Sequence, residues 1–446
     1  MALSTAKHAK GPQEAMSQSL SPKAAKAAKA AKTTKTTKTR AVGKAEAASK
    51  AKSGRAAGKS SAASSARHHR GFLGRLRSEL GLIAGIVTTV LFYTVGKEWI
   101  ADLDNLPWLV FTFAWLFGVM IWCAFGVVRH ADALAEMLGE PYGTLILTIS
   151  VISMEVAILA TIMLDGTPSP TLPRETMFAI LMIVLNGMVG TVLAIGGLRY
   201  LEQQYNLQGA LAYLAVITPL AAIALILPTF TQSTATPTFT ATQAIIFGTL
   251  TALLYAAFLA IQTTRHRNFF MQPKARANDA DLAAPASPEP HRHGAVYSAP
   301  YHAVLLVATL LPVVLLSKPL AKLLDHGIEQ IGFPIALGGV LIAILILSPE
   351  WTAALRAAAR DQLQRAVNLS LGSALSTIGL TVPVVLAISV LTGTPIELGL
   401  NNVEIVLLAV TLFVSHMTFS GAPTNILLGL VHLVLFAAYL VLIFKP

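Results

Sequence analysis

Read for the spacing of apolar and polar residues, the chain falls into long apolar runs separated by short polar breaks. From Leu80 onward these runs have membrane length, and a bilayer core of about 30 Å needs roughly 20 apolar residues in a helix. They fall near 80–97, 106–128, 143–164, 176–198, 208–230, 241–262, 302–317, 334–356, 366–392, 403–420 and 426–444. The pattern predicts an all-α polytopic membrane protein of about eleven transmembrane helices. The run at 302–317 is short and carries Pro312. The run at 366–392 is long and contains Pro383, which predicts a kink or tilt. A polar stretch at 263–300, rich in Pro, Ala and charge, reads as a loop between two halves of five helices each, after one leading helix.

The first seventy residues break this pattern. They are low-complexity Ala, Lys, Ser and Thr, with lysines three apart from Lys23 to Lys38. So little apolar bulk predicts disorder in the free segment. No apolar core follows the early charges within 30 residues, so it does not read as a secretory signal. Its partners by composition are anionic lipid headgroups or another polyanion, with an organelle transit peptide as a further reading.

The organisation expected is a basic tail (1–77), a leading helix with the start of a first repeat (78–128), the remainder of that repeat (129–262), a cytoplasmic loop (263–300) and a second repeat (301–446).

Composition agrees with a membrane body. The 446 residues are 54% hydrophobic and 12% charged, with a mean hydropathy of +0.64. A soluble domain carries about 25% charged residues. The net charge of +11 belongs to the tail: residues 1–77 carry +16 and the remainder −5. Ten Lys and Arg fall in the loops on the tail's side of the membrane and five on the other. That bias puts the N-terminus in the cytoplasm with an odd number of spans. Cys123 is the single cysteine, so no intrachain disulfide can form.

Two acids interrupt the apolar runs. Glu155 lies in the third segment and Glu350 in the eighth. A charge at bilayer depth costs about 2.5–3.5 kcal/mol on insertion scales, so such residues face polar cavities or partners. The two belong to an internal repeat. Gly143 and Gly338 each precede the acid by twelve residues, and Ser153 and Ser348 each precede it by two. Downstream, NGMVGTVLAIGG (186–197) parallels NLSLGSALSTIG (368–379), which pairs Asn186 with Asn368 and Gly190-Thr191 with Gly372-Ser373.

An odd and an even helix cross the membrane in opposite senses. The repeats are therefore inverted, an architecture that places an ion site at the midplane where the copies meet. Two glutamates there would balance a divalent charge. Ser153, Asn186, Thr191, Ser348, Asn368 and Ser373 are candidate neutral ligands, and interhelical hydrogen bonding is the alternative role for each. The same pair would hold either protons or a cation, the minimal requirement for antiport. A packing acid bonded to a neighbouring helix is the structural alternative for Glu155, and an acid near the membrane edge paired with Arg356 or Arg360 is that for Glu350.

The segment SPEWTAALRAAARDQLQRAVNLSLGSALSTIGLTVPVV (348–385) resembles the second signature repeat of calcium/proton exchangers in the cation/calcium exchanger superfamily. HADALAEMLGEPYGTLILTISVISMEV (130–156) and TNILLGLVHLVLFAAYL (424–440) resemble the bacterial sodium–calcium/proton antiporter branch. The resemblance covers roughly 80–446 and implies eleven helices, two inverted repeats and Glu155 and Glu350 as cation and proton ligands. The family's Gly-Asn ahead of each glutamate is replaced here by Val151-Ile152 and Ile346-Leu347, and a Gln expected in the second repeat falls on Ser376. The missing amides leave Na⁺ and K⁺ beside Ca²⁺ as the transported ion.

His130, Asp132, Glu136 and Glu140 read as an amphipathic stretch at the membrane surface, with cation capture or gating as the other reading. His416 and His432, inside the last two helices, read as interhelical hydrogen-bonding groups. Glu397 and Glu404 read as interfacial, and His291 and His293 as solvated loop residues.

No His-Glu-x-x-His, Walker A or G-x-S-x-G pattern occurs, so the chain does not read as an enzyme, and no cofactor is expected beyond the transported ion. The expected function is secondary active cation/proton antiport in a bacterial inner membrane, Ca²⁺/H⁺ first and Na⁺ or K⁺ against H⁺ second. A non-transporting membrane anchor with a polyanion-binding tail is the reading from another class.

Overall fold

The structure, a computed structural model, describes residues 79–100, 103–138, 142–164, 170–273, 298–421 and 423–444. The basic tail, the loop histidines 291 and 293, Glu140 and most of the polar loop lie outside the described residues.

The described chain is almost wholly helical. Its long helices are α1 (Leu80–Thr94), α2 (Leu106–Leu138), α3 (Tyr142–Met163), α4 (Leu172–Tyr200), α5 (Leu207–Phe230), α6 (Ala241–Thr263), α7 (Ala299–Ile331), α8 (Ala336–Ala358), α9 (Leu363–Thr392), α10 (Asn402–Thr418) and α11 (Ile426–Phe444). Eight of these are long and apolar enough to cross a membrane; α1, α10 and the apolar part of α3 are shorter. Large apolar side chains such as Val87, Leu253, Val304, Phe413 and Val434 stand exposed on the outside, as lipid-facing residues do.

Two helices exceed the expected spans. The weak segment at 302–317 becomes the 33-residue α7, continuous through Pro312 and Pro319. The reason is packing. Beyond Ser317 the helix keeps an apolar stripe of Leu320, Leu323, Leu324 and Ile328, buried in a cluster with Leu109, Leu116 and Met120 of α2. Helix α2 is also 33 residues, about 50 Å at 1.5 Å per residue. It runs straight through the stretch expected to lie on the membrane surface. The two pack antiparallel along their length. His130 Nδ1 lies 3.1 Å from His302 Nδ1 at one end, and Gln330 donates to the Asp104 carbonyl at 2.9 Å at the other.

Apolar packing divides between two clusters. One gathers α1, α2 and α7 against α3 and α8. The other surrounds α4, whose span is 89% buried and which lies among α8, α9, α10 and α11. Glycines let backbones meet there. A Cβ on Gly339 of α8 would sit 2.5 Å from the Glu175 carbonyl carbon of α4, and one on Gly429 of α11 would sit 2.6 Å from Ala194 N. A two-residue antiparallel pair, β1 (Glu202–Gln203) with β2 (Thr424–Asn425), ties the end of α4 to the start of α11.

The polar loop expected from residue 263 begins as packed structure. Phe270 stacks edge-on against Tyr213 and Phe258, and its carbonyl accepts from Asn368 at 2.7 Å. Aromatic bulk at its start draws this part of the loop back onto α5, α6 and α9.

Candidate functional site: two acids on one hydroxyl ladder

Helices α8 and α9 form a tight hairpin, since only Ala359–Gln362 separate them. Asp361 turns the corner at φ +58°, a left-handed conformation that Asp tolerates better than most residues. Glu350 lies nine residues before Ala359 and Ser373 eleven after Gln362, so the two reach similar depth. The Ser373 hydroxyl donates to Glu350 Oε2.

The same face of α9 continues to Glu155. Thr377 Oγ1 donates to Glu155 Oε2 at 3.0 Å, and Thr381 Oγ1 donates to Oε1 at 2.9 Å. Ser373, Thr377 and Thr381 are four apart and form a ladder that touches both carboxylates. A regular α-helix would carry them progressively around its axis, because four residues exceed one turn of 3.6. Residues Thr377–Thr381 form a π turn, which takes more residues per turn and limits that drift. Pro383, two residues on, explains the turn. Its ring clashes with the Gly379 carbonyl and it has no N–H to give, so the helix widens ahead of it. The expected distortion at Pro383 takes this form.

Both acids are withdrawn from solvent. Glu155 is 3% exposed and Glu350 half-buried. Among the described residues no lysine, arginine or histidine pairs with either one. Glu175 of α4 shows the contrast. It is equally buried, but Arg174 grips it at 2.5 and 3.1 Å and also donates to the Gly399 carbonyl. A buried carboxylate without a fixed counter-charge is costly. Glu155 and Glu350 therefore call for a charge that arrives from outside, a proton or a metal cation.

Of the six neutral candidates, the structure brings only Ser373 to a carboxylate. Ser153 stands exposed on another face of α3. Ser348 Oγ bonds back to the Leu345 carbonyl at 3.1 Å. Thr191 accepts Trp351 Nε1 at 2.9 Å, which braces the residue after Glu350 against α4. Asn368 bonds the Phe270 carbonyl and Gln364. Asn186 bonds Thr411 and His432. The two asparagines matched in the sequence repeat are not at equivalent places, since Asn186 lies mid-helix in α4 and Asn368 near the start of α9. Thr377 and Thr381, which the repeat did not single out, take the positions beside Glu155. Their four-residue spacing from Ser373, ahead of a proline, was the available signal.

The remaining candidates act as links between helices or caps. His416 meets Thr218 at 3.0 Å. Glu404 closes a capping box with Asn401. His130 is buried between Glu79, Arg129 and His302.

The profile of the sodium/calcium exchanger protein family matches residues 108–264 and 301–445. The sodium-potassium/proton antiporter ChaA of Escherichia coli (strain K12) is 39% identical over 369 residues, 82% of this chain and 96% of its own length. The putative ionic transporter y4hA of Sinorhizobium fredii is 40% identical over 326 residues, 73% of this chain and 86% of its own. Among solved structures, native YfkE superposes with a TM-score of 0.63 at 18% identity, over 82% of this chain and all of its own. At that identity the likeness concerns the fold.

Proposed function

The chain belongs to the sodium/calcium exchanger protein family, and we propose that it is a secondary active cation/proton antiporter that exports its cation from the cytoplasm of a bacterium, driven by the inward proton gradient. It sits in the inner membrane with its N-terminus in the cytoplasm, and its basic tail touches anionic headgroups. Glu155 and Glu350 bind the cation and protons in alternation.

The observation that carries this reading is the pair of carboxylates, one buried and one half-buried, joined by one hydroxyl ladder and given no fixed counter-charge. Empty and ionised, the pair would hold two like charges in a dry site. Two protons remove that charge, and so does one divalent cation. One Ca²⁺ against two protons leaves the site's charge unchanged through the cycle, and the two carboxylates with the three hydroxyls supply hard oxygen ligands. A second reading, Na⁺ or K⁺ against H⁺, is favoured by two observations. The relative from Escherichia coli carries the name sodium-potassium/proton antiporter. Asn186 and Asn368 also commit their amides to other partners.

Everted membrane vesicles test both. Adding CaCl₂ dissipates a preformed proton gradient, and Glu155→Gln or Glu350→Gln abolishes the response. Normal exchange by both variants overturns the site assignment, and a wild type unresponsive to any cation leaves the anchor reading. NaCl and KCl in the same assay decide the ion.

A further inference from the structure

Among the described residues, three helices contain a π turn: Ile183–Met188 in α4, Ala222–Ile226 in α5 and Thr377–Thr381 in α9. Two have a covalent cause. Pro228 and Pro383 each follow their turn by two residues, and each would clash with a carbonyl four residues back, Ala224 or Gly379. The turn in α4 has no such cause, because Val189–Tyr200 contains no proline. Something outside the helix holds it.

The holding groups come from α10 and α11. In a regular helix the Val189 N–H would go to the Leu185 carbonyl; here it goes to Val184 and Asn186. The His432 imidazole of α11 reaches the turn at its polar residue, with Nδ1 3.3 Å from Asn186 Oδ1. Asn186 Nδ2 donates to Thr411 Oγ1 of α10 at 2.9 Å, so the amide oxygen is the atom that faces the ring. His432 Nδ1 therefore carries the hydrogen, and in the neutral ring Nε2 accepts from the Thr418 hydroxyl at 3.0 Å. Asn186, Thr411, Thr418 and His432 are all sealed from solvent.

This turn backs onto an acid. Gly187 packs on Trp351, whose ring would lie 3.3 Å from an added Cβ, and Trp351 Nε1 donates to Thr191 one turn later. Trp351 adjoins Glu350. The π turn of α4 thus fixes the height and rotation of the α8 segment that carries the second carboxylate.

We infer that His432 is a positioning residue for the cation site, acting through Asn186 to hold the α4 turn that seats Trp351 and Glu350. The inference rests on the antiport reading above. His432 bonds to neither carboxylate, and its effect is on how well the cation fits.

The test is cation titration in everted vesicles with CaCl₂, NaCl and KCl at fixed pH, with protein levels matched by immunoblot. His432→Phe fills the volume without ring nitrogens. It raises the half-saturating cation concentration at least tenfold and keeps the maximal rate within threefold. His432→Asn restores a donor near the Nδ1 position and brings half-saturation back to within threefold of wild type. Thr411→Val, a milder change, shifts the same parameter at least threefold and serves if His432→Phe does not accumulate. Wild-type half-saturation in His432→Phe or in Thr411→Val overturns the inference, and so does an equal defect in the Phe and Asn variants, which would mean packing alone. If Glu155→Gln is inactive while His432→Phe behaves as wild type, the antiport reading stands and this inference falls. A wild type that exchanges no cation overturns both.

Discussion

Replacing Thr381 by Val removes one hydroxyl from a fully buried, β-branched side chain and keeps its shape. The hydroxyl donates to Glu155 Oε1 at 2.9 Å, and Thr377 still holds the other oxygen. A hydrogen bond to a charged group contributes about 1.5–3 kcal/mol. At 1.4 kcal/mol per factor of ten, that corresponds to roughly 10- to 150-fold in an equilibrium constant. The ionised carboxylate is the form that takes a cation, so the loss falls on cation binding. Thr381→Val therefore raises the half-saturating cation concentration, toward the lower end of that range because Thr377 remains. Thr377→Val does the same, and the double variant is weaker than either. The assay is collapse of a preformed proton gradient in everted vesicles, titrated with cation at constant pH and matched expression. Half-saturation within twofold of wild type in both single variants refutes the reasoning, since it would mean that the α9 ladder does not touch Glu155 in the working protein.

Proton and cation competition predicts a pH dependence with a definite sign: lowering the pH refills the acids with protons, so half-saturation rises by about tenfold per pH unit for each proton displaced. A log–log slope between one and two is expected, and a flat line sinks the competition. Arg174→Ala strands the buried Glu175 carboxylate, at about 3–5 kcal/mol for breaking a buried pair; thermal unfolding in detergent drops accordingly, and Arg174→Ala with Glu175→Ala recovers most of it. Gly339→Ala drives a methyl to within 2.5–2.7 Å of the Glu175 and Thr176 backbone, so α8 shifts off α4 at about 1–3 kcal/mol, seen as a lower melting temperature together with weakened exchange. Ser153→Ala, on an exposed face of α3, leaves half-saturation within twofold of wild type.

The acids were legible in the sequence because a carboxylate in an apolar run has few reasons to be there. The hydroxyls were not, and the structure shows why. Many Ser and Thr of the described helices return their hydrogen to their own helix four residues back, among them Thr89 to Gly85, Thr112 to Trp108, Ser150 to Ile146, Thr161 to Ala157 and Thr309 to Leu305. A hydroxyl that does this looks the same in sequence as one that reaches across to a glutamate. Which of them turns outward depends on the neighbouring helix, and that is tertiary information. Hydropathy likewise located the long helices but ended α2 and α7 too early. The extra turns of α7 persist because Leu320, Leu323, Leu324 and Ile328 are buried in one cluster with the start of α2, and those of α2 bury Ala131 and Leu134 where His130 meets the start of α7.

The repeat itself is symmetric in its acids and asymmetric in what holds them. Glu155 and Glu350 come from corresponding helices of opposite halves, but all three hydroxyls that contact them belong to α9. The corresponding helix of the first half, α4, turns its central polar residue, Asn186, toward α10 and α11 instead. The two halves therefore cannot exchange roles by a simple swap. A movement of α9 along its axis changes the surroundings of both acids at once, because one rigid ladder spans them. A movement of α4 reaches Glu350 through Trp351 and Thr191. On the proposed function, in which both carboxylates are loaded and unloaded together, α9 is the helix whose displacement couples them, because its hydroxyls contact both.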